Sequence, residues 1–136
     1  MRQIKVYLAG PMMDCNKEEM LDWRKKVKMD LKPYGVKFLD PTRRSKRKNL
    51  SSSYIVDCDK KDILNSDIVF VNLWKHSIGT SMEVLFAWEN NKGIICCAQK
   101  DIMNNIWLKH HTGFVEDNLY DAIRRLKIAT MSFGRG

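Results

Sequence analysis

One apolar run narrows the folds open to this chain more than any other feature. Residues 67–74 read Asp-Ile-Val-Phe-Val-Asn-Leu-Trp, rich in β-branched and aromatic side chains and without a polar–apolar alternation. A strand with one wet face alternates, whereas a strand covered on both faces does not. The run therefore predicts a buried strand of a parallel sheet. Shorter strands are predicted at residues 4–9, 36–39 and 94–98, with a brief fifth at 113–115. Helical periods fill the gaps. Asn16-x-x-Glu19 is a capping box, followed by Met20, Trp23, Val27 and Leu31 at helical spacing up to Pro33-Tyr-Gly35. Residues 54–65 predict a second helix with Ile55, Cys58 and Ile63 inward. Residues 82–90 predict a third, stopped at Asn91-Lys-Gly93, and residues 117–128 a last one using Leu119, Ala122, Ile123 and Leu126. Residues 99–112 show no period and read as irregular, anchored by Trp107 and Leu108, and the last few residues read as frayed.

Strands alternating with helices give an α/β, doubly wound sheet of about five parallel strands. Right-handed crossovers favour the order 2-1-3-4-5. Strands one and three are then neighbours where the winding reverses, and a ligand crevice opens between their carboxyl ends, Ala9-Gly10-Pro11 and Asn72-Leu73-Trp74. The 136 residues suffice for a single domain, 1–136. Lys+Arg 24 against Asp+Glu 16 leaves a formal +8, which favours anionic partners without choosing among them. No apolar run has the length of a membrane span or a signal-peptide core, so a cytoplasmic protein is expected. Cys15, Cys58, Cys96 and Cys97 form no CxxC pair, and His76, His110 and His111 lack metal-ligand spacing. Reduced, packed thiols and no metal or cofactor are expected.

Chemistry concentrates at Ser77-Ile-Gly-Thr-Ser-Met-Glu83, the turn leaving strand three. A strand passing through Gly and hydroxyl residues into a helix leaves backbone N–H groups unpaired, an anion site with a positive helix end behind it. Starting the helix there puts Glu83 in its first turn, where that field favours the ionised form a nucleophile needs. The competing reading is structural: Thr80-x-x-Glu83 is also a capping box. Tyr7, near the end of strand one, Asp59, in the helix before strand three, and Ser77 converge on the same crevice. Each has a plain structural alternative as core aromatic, surface acid and turn residue. The basic stretch Arg43-Arg-Ser-Lys-Arg-Lys48 reads as a solvated loop, a phosphate-facing lid or a nucleic-acid patch; no aromatic interrupts it, which weakens the last option.

Taken together, Tyr7-Leu-Ala-Gly-Pro11, Asp59-x3-Ile63-x3-Asp67 and Ser77-x-Gly79-x3-Glu83 followed by Ala87 resemble the nucleoside 2-deoxyribosyltransferase family, which includes 2'-deoxynucleoside 5'-monophosphate N-hydrolases. The resemblance implies a flavodoxin-like fold, cleavage of an N-glycosidic bond, and a homo-oligomer in which a neighbouring subunit completes each site. It implies Glu83 as nucleophile, Asp59 as the acid that handles the leaving base, and Tyr7 as the hydroxyl that holds the nucleophile. Those residue types suit the chemistry. Breaking a deoxyribose–base bond builds positive charge on the sugar, which one ionised carboxylate stabilises while a protonated carboxyl assists the base. The resemblance further implies that Ser77, where the transferases acting on free nucleosides carry an acid, suits a 5'-monophosphate. A hydroxyl with the N–H groups of Gly79, Thr80 and Ser81 accepts a phosphate that a carboxylate would repel. Gly10, Arg43 and, from a neighbour, Thr112 complete the expected substrate contacts. Two other classes remain open: a non-catalytic nucleotide-binding module on the same fold, and a nucleic-acid-binding protein using residues 43–48.

Overall fold

Five strands pair in parallel in the order β2-β1-β3-β4-β5, the order expected from the crossover rule. The computed structural model describes residues 2–44 and 50–133. The expectations for Lys46, Arg47 and Lys48 and for the end at 134–136 lie outside them. The strands are β1 (Lys5–Ala9), β2 (Lys37–Leu39), β3 (Ile68–Leu73), β4 (Gly93–Ala98) and β5 (Val115–Glu116). The six residues of β3 are all buried, as an unbroken apolar run at the centre of a sheet must be. Val71 lies level with Ala9 on one side and Cys96 on the other.

Helices α1 (Lys17–Leu31) and α6 (Leu119–Phe133) cover one face of the sheet. The other face carries α2 (Ser52–Asn65), α3 (Ile78–Glu89), α4 (Lys100–Met103) and α5 (Ile106–Thr112). Alternation along each strand sorts the core into two clusters. Val6, Leu8, Phe70 and Cys97 join Trp23, Val27 and Leu126 on the first face. Tyr7, Ala9, Val71 and Cys96 join Ile63, Val84, Ala87 and Leu108 on the second. The adjacent thiols Cys96 and Cys97 thus point to opposite faces, and burial pushes both up, Cys97 to about 12.

The Asn16 capping box starts α1: Glu19 N–H donates to Asn16 Oδ1 at 2.8 Å, and Asn16 N–H to Glu19 Oε1 at 2.9 Å. Other local expectations need correction. α2 begins earlier than its apolar period, because Ser51 caps it by accepting from Tyr54 N–H at 3.1 Å, and Ile55 lies on its exposed side. Residues 99–112 are not irregular but form two short helices; Asn105 caps α5 by accepting from the N–H groups of Trp107 and Leu108. Leu108 anchors this segment, whereas Trp107 is 69% exposed. Neither helix is long enough to display a period.

Candidate active site

The end of β1 and the start of α3 bring Tyr7 and Glu83 together. Tyr7 is fully buried, and its hydroxyl donates to Glu83 Oε2. Glu83 does not stand where the capping-box reading put it. Ser77, not Thr80, is the N-cap of α3: its Oγ accepts from Thr80 N–H at 3.2 Å and donates to Thr80 Oγ1 at 2.8 Å. Thr80 is therefore the third residue of the helix and Glu83 the sixth, beyond the turn where the helix end acts strongly. The expected stabilisation of an ionised Glu83 by the helix start is overturned. Burial instead raises the carboxyl from its ordinary 4.5 to about 7; the Tyr7 hydrogen bond and the charges of Arg24 and Arg44 oppose the rise, and Asp59 adds to it.

Asp59, on α2, is half-buried and forms an ion pair with Arg44. Desolvation raises its carboxyl above the usual range against the pull of Arg44. Both Glu83 and Tyr7 feel its charge, so the three groups share one electrostatic neighbourhood. Burial and the adjacent Glu83 hold the Tyr7 hydroxyl well above its usual range, so it stays a donor. One face of this site thus presents two carboxyls, each with its own fixed partner: a phenol for Glu83 and a guanidinium for Asp59.

The expected substrate positions divide. Gly79 lies one helical turn before Glu83 on the same side of α3, with open space where a side chain would stand. Ser81 is two residues from Glu83, about 200° around the helix, and its hydroxyl donates to Ser77 O at 2.8 Å. Ser77 and Ser81 line a different cavity of about 460 Å³ between α3 and α4–α5, with His76, Ile78, Met82 and Trp107. Thr80 is buried in the helix end. Its N–H and that of Ser81 are taken by Ser77, which leaves those of Ile78 and Gly79 as the first two of the helix without an intrahelical acceptor. Gly10 is buried at the end of β1 for a packing reason: a Cβ there would stand 2.5 Å from Trp23 Cζ2. Arg43 is not held ready for a phosphate; it donates to Asp62 Oδ2 and to Asp40 O, both at 2.7 Å. Thr112 gives its hydroxyl to Leu108 O at 2.8 Å, on α5. Among the described residues no group of three or more His, Cys, Asp or Glu side chains could hold a metal ion, and no helix is long and apolar enough to cross a membrane.

Two residues beside the site escaped the sequence reading. Arg24 is 1% exposed, donates to the carbonyls of Leu8 and Gly10 at 3.3 Å each, and stacks its guanidinium 4.4 Å from the centre of the Trp23 ring. Its signal was its position: residues 20, 24, 27 and 31 follow an inward helical stripe, where a charged residue is out of place. Asp62 is also buried and sits one turn after Asp59, accepting from both Arg43 and Arg44.

A family model described as nucleoside 2-deoxyribosyltransferase like matches residues 3–100. The chain belongs to that family. The coarse activity follows from membership: an enzyme acting at N-glycosidic bonds, by cleavage or by deoxyribosyl transfer. Solved structures of the same fold include the 2-deoxyribosyltransferase of Bacillus psychrosaccharolyticus, 18% identical, with 88% of this chain and 90% of that one covered at a TM-score of 0.67. The CMP N-glycosidase of Clostridium botulinum is 15% identical, with coverage of 92% and 98% and a TM-score of 0.64. The 2-desoxiribosyltransferase of Leishmania mexicana is 18% identical, with coverage of 85% and 76% and a TM-score of 0.61. At such identities the likeness carries the flavodoxin-like fold alone. No curated protein matches the sequence.

Proposed function

We propose that this family member cleaves the N-glycosidic bond of a 2'-deoxynucleoside 5'-monophosphate through a covalent intermediate on Glu83. The observation that carries the reading is the hydrogen bond from the buried Tyr7 hydroxyl to the Glu83 carboxylate, with Asp59 in the same neighbourhood. The Glu83 carboxylate forms a bond to the sugar C1' as the C1'–N bond breaks. The electron pair leaves with the base, which takes a proton from Asp59. Water, or a second base, then attacks C1' as the C1'–Glu83 bond breaks and gives its proton to the Asp59 carboxylate, which restores both groups. With its midpoint near 7, Glu83 is partly ionised at neutral pH, and the Tyr7 hydroxyl favours the ionised form.

Support for the 5'-phosphate comes from three sides. The chain carries +8. The N–H groups of Ile78 and Gly79, without an intrahelical acceptor, stand at the start of the helix that carries Glu83. The C. botulinum relative is named for a nucleoside monophosphate. Ser77 serves this subsite by capping the helix. We also propose a homo-oligomer with shared sites: α3 and α5 expose Ile78, Met82, Ile106 and Trp107, an apolar surface a second copy would cover, and Thr112 would reach the neighbour's site from there.

The test is incubation of the protein with each deoxynucleoside and its 5'-monophosphate, with and without a second free base, with products identified by chromatography. Release of free base from monophosphates is expected, with a roughly thousand-fold loss (about 4 kcal/mol) in Glu83→Ala. Nucleotide that binds and survives refutes the enzymatic reading and leaves a binding module, whereas wild-type turnover in Glu83→Ala rules out Glu83 as the nucleophile.

A further inference from the structure

Among the described residues, Arg44 is the least exposed cation on the α2 side of the site. It ends the 3-10 turn Pro41–Arg44 that follows edge strand β2. Asp40 holds that turn firmly, accepting from Thr42 N–H at 2.9 Å, Thr42 Oγ1 at 2.6 Å and Lys28 Nζ at 2.6 Å. From this base the Arg44 side chain, 10% exposed, spans two carboxylates one turn apart on α2. Nη2 donates to Asp59 Oδ1 and Nη1 to Asp62 Oδ2, the latter at 2.8 Å. A planar fork reaching two acceptors fixes direction as well as charge, which a lysine cannot do.

We infer that Arg44 is a positioning residue for Asp59, with Asp62 as the anchor that holds the guanidinium in place. The inference rests on the proposed role of Asp59 toward the leaving base. Asp59 is faced by Arg43 and Arg44 from the turn after β2, by Tyr7 from β1, by Glu83 from α3 and by Asp62 from its own helix. Two of these act on it in opposite directions by geometry. Arg44 favours the carboxylate, and Asp62, a like charge one turn away, disfavours it. A simple staple between β2 and α2 would also lose stability when cut, and its two charges would shift Asp59 in opposite senses by Coulomb interaction alone, but it would leave kcat of the folded variants unchanged.

The experiment compares Arg44→Met, Arg44→Lys, Asp62→Asn and Asp59→Asn, reading kcat and KM for base release and the titration midpoint of Asp59 by carboxyl 13C chemical shift in the free protein. Arg44→Met is expected to raise the Asp59 midpoint and to lower kcat about tenfold or more with KM little changed, as misplacement of an acting group does. Asp62→Asn is expected to lower kcat in the same way, because the guanidinium loses its anchor while Arg44 keeps its charge. Arg44→Lys is expected to return the midpoint most of the way without restoring kcat, because charge returns and the fork does not. A midpoint unmoved in Arg44→Met overturns the inference, as does wild-type kcat in Arg44→Met or Asp62→Asn. If Arg44→Met fails to fold, Arg44→Lys decides: kcat lowered about tenfold with the Asp59 midpoint near that of the wild type supports the inference, and wild-type kcat sinks it. Wild-type turnover in Asp59→Asn would instead remove the role proposed for Asp59, a different failure.

Discussion

Replacing Tyr7 by Phe takes a single oxygen out of the site and leaves the ring, fully buried, in its packing. That oxygen is the donor to Glu83. A hydrogen bond to a charged acceptor contributes about 1.5–3 kcal/mol, and one pKa unit corresponds to about 1.4 kcal/mol. Its loss should raise the Glu83 midpoint by about one to two units, from about 7 to between about 8 and 9. Near pH 6 the ionised fraction of Glu83 then falls from about a tenth to between about a hundredth and a thousandth. If the ionised carboxylate is the nucleophile, kcat/KM for base release should fall about 10- to 100-fold at that pH. Above about pH 9 most of the loss should vanish, because both proteins are largely ionised there. The ratio of variant to wild type is the useful quantity: the protonation of Asp59 enters both rates and cancels. Carboxyl 13C shifts of Glu83 give the midpoint directly, and rates across the same buffers give the ratio. A midpoint that stays near 7 in Tyr7→Phe, or a ratio that does not climb with pH, would refute the reasoning.

Three further perturbations follow from named contacts. Because the folded Glu83 midpoint lies above its ordinary 4.5, the folded chain alone keeps the proton between there and about 7. The contribution is therefore present below about pH 4.5 and lost as pH rises through about 7; it amounts to about 3 kcal/mol. Urea unfolding at the two ends of that window should show wild-type stability falling relative to Glu83→Gln by that order, and parallel pH curves would show that Glu83 is not the desolvated group. Ser77→Ala should lower stability by about 1 kcal/mol through loss of the N-cap, whereas Ser77→Asp should keep the cap and selectively impair turnover of monophosphates; a monophosphate-to-nucleoside rate ratio unchanged from wild type in Ser77→Asp would remove the phosphate reading. Gly10→Ala forces a methyl against Trp23 and should cost about 1–3 kcal/mol in urea unfolding; an unchanged midpoint would mean that Trp23 yields freely.

The features legible in the sequence were those written by near neighbours. The unbroken run of β3 implied a strand covered on both faces, and alternation placed Cys96 and Cys97 on opposite sides. Asn16 and Glu19, three residues apart, spelled out the cap they form. Even locally, the Thr80-x-x-Glu83 box misplaced the start of α3. The cap fell to Ser77 because its hydroxyl reaches Thr80 N–H from the end of the loop, and that one-turn shift moved Glu83 out of the helix-end field.

Periodicity, caps and strand order depend on side chains a few positions apart and on chirality rules common to all chains, and the sequence by itself determined them. It also put Tyr7, Asp59 and Glu83 on elements that meet near the carboxyl ends of the central strands. Tertiary structure alone decided what each of those groups experiences. The Tyr7 hydroxyl reaches a carboxylate 76 residues away, and Arg44 reaches forward across 15 to Asp59. A carboxyl's charge depends on how much water the whole fold removes from it and on which distant ions remain, and no local pattern records either.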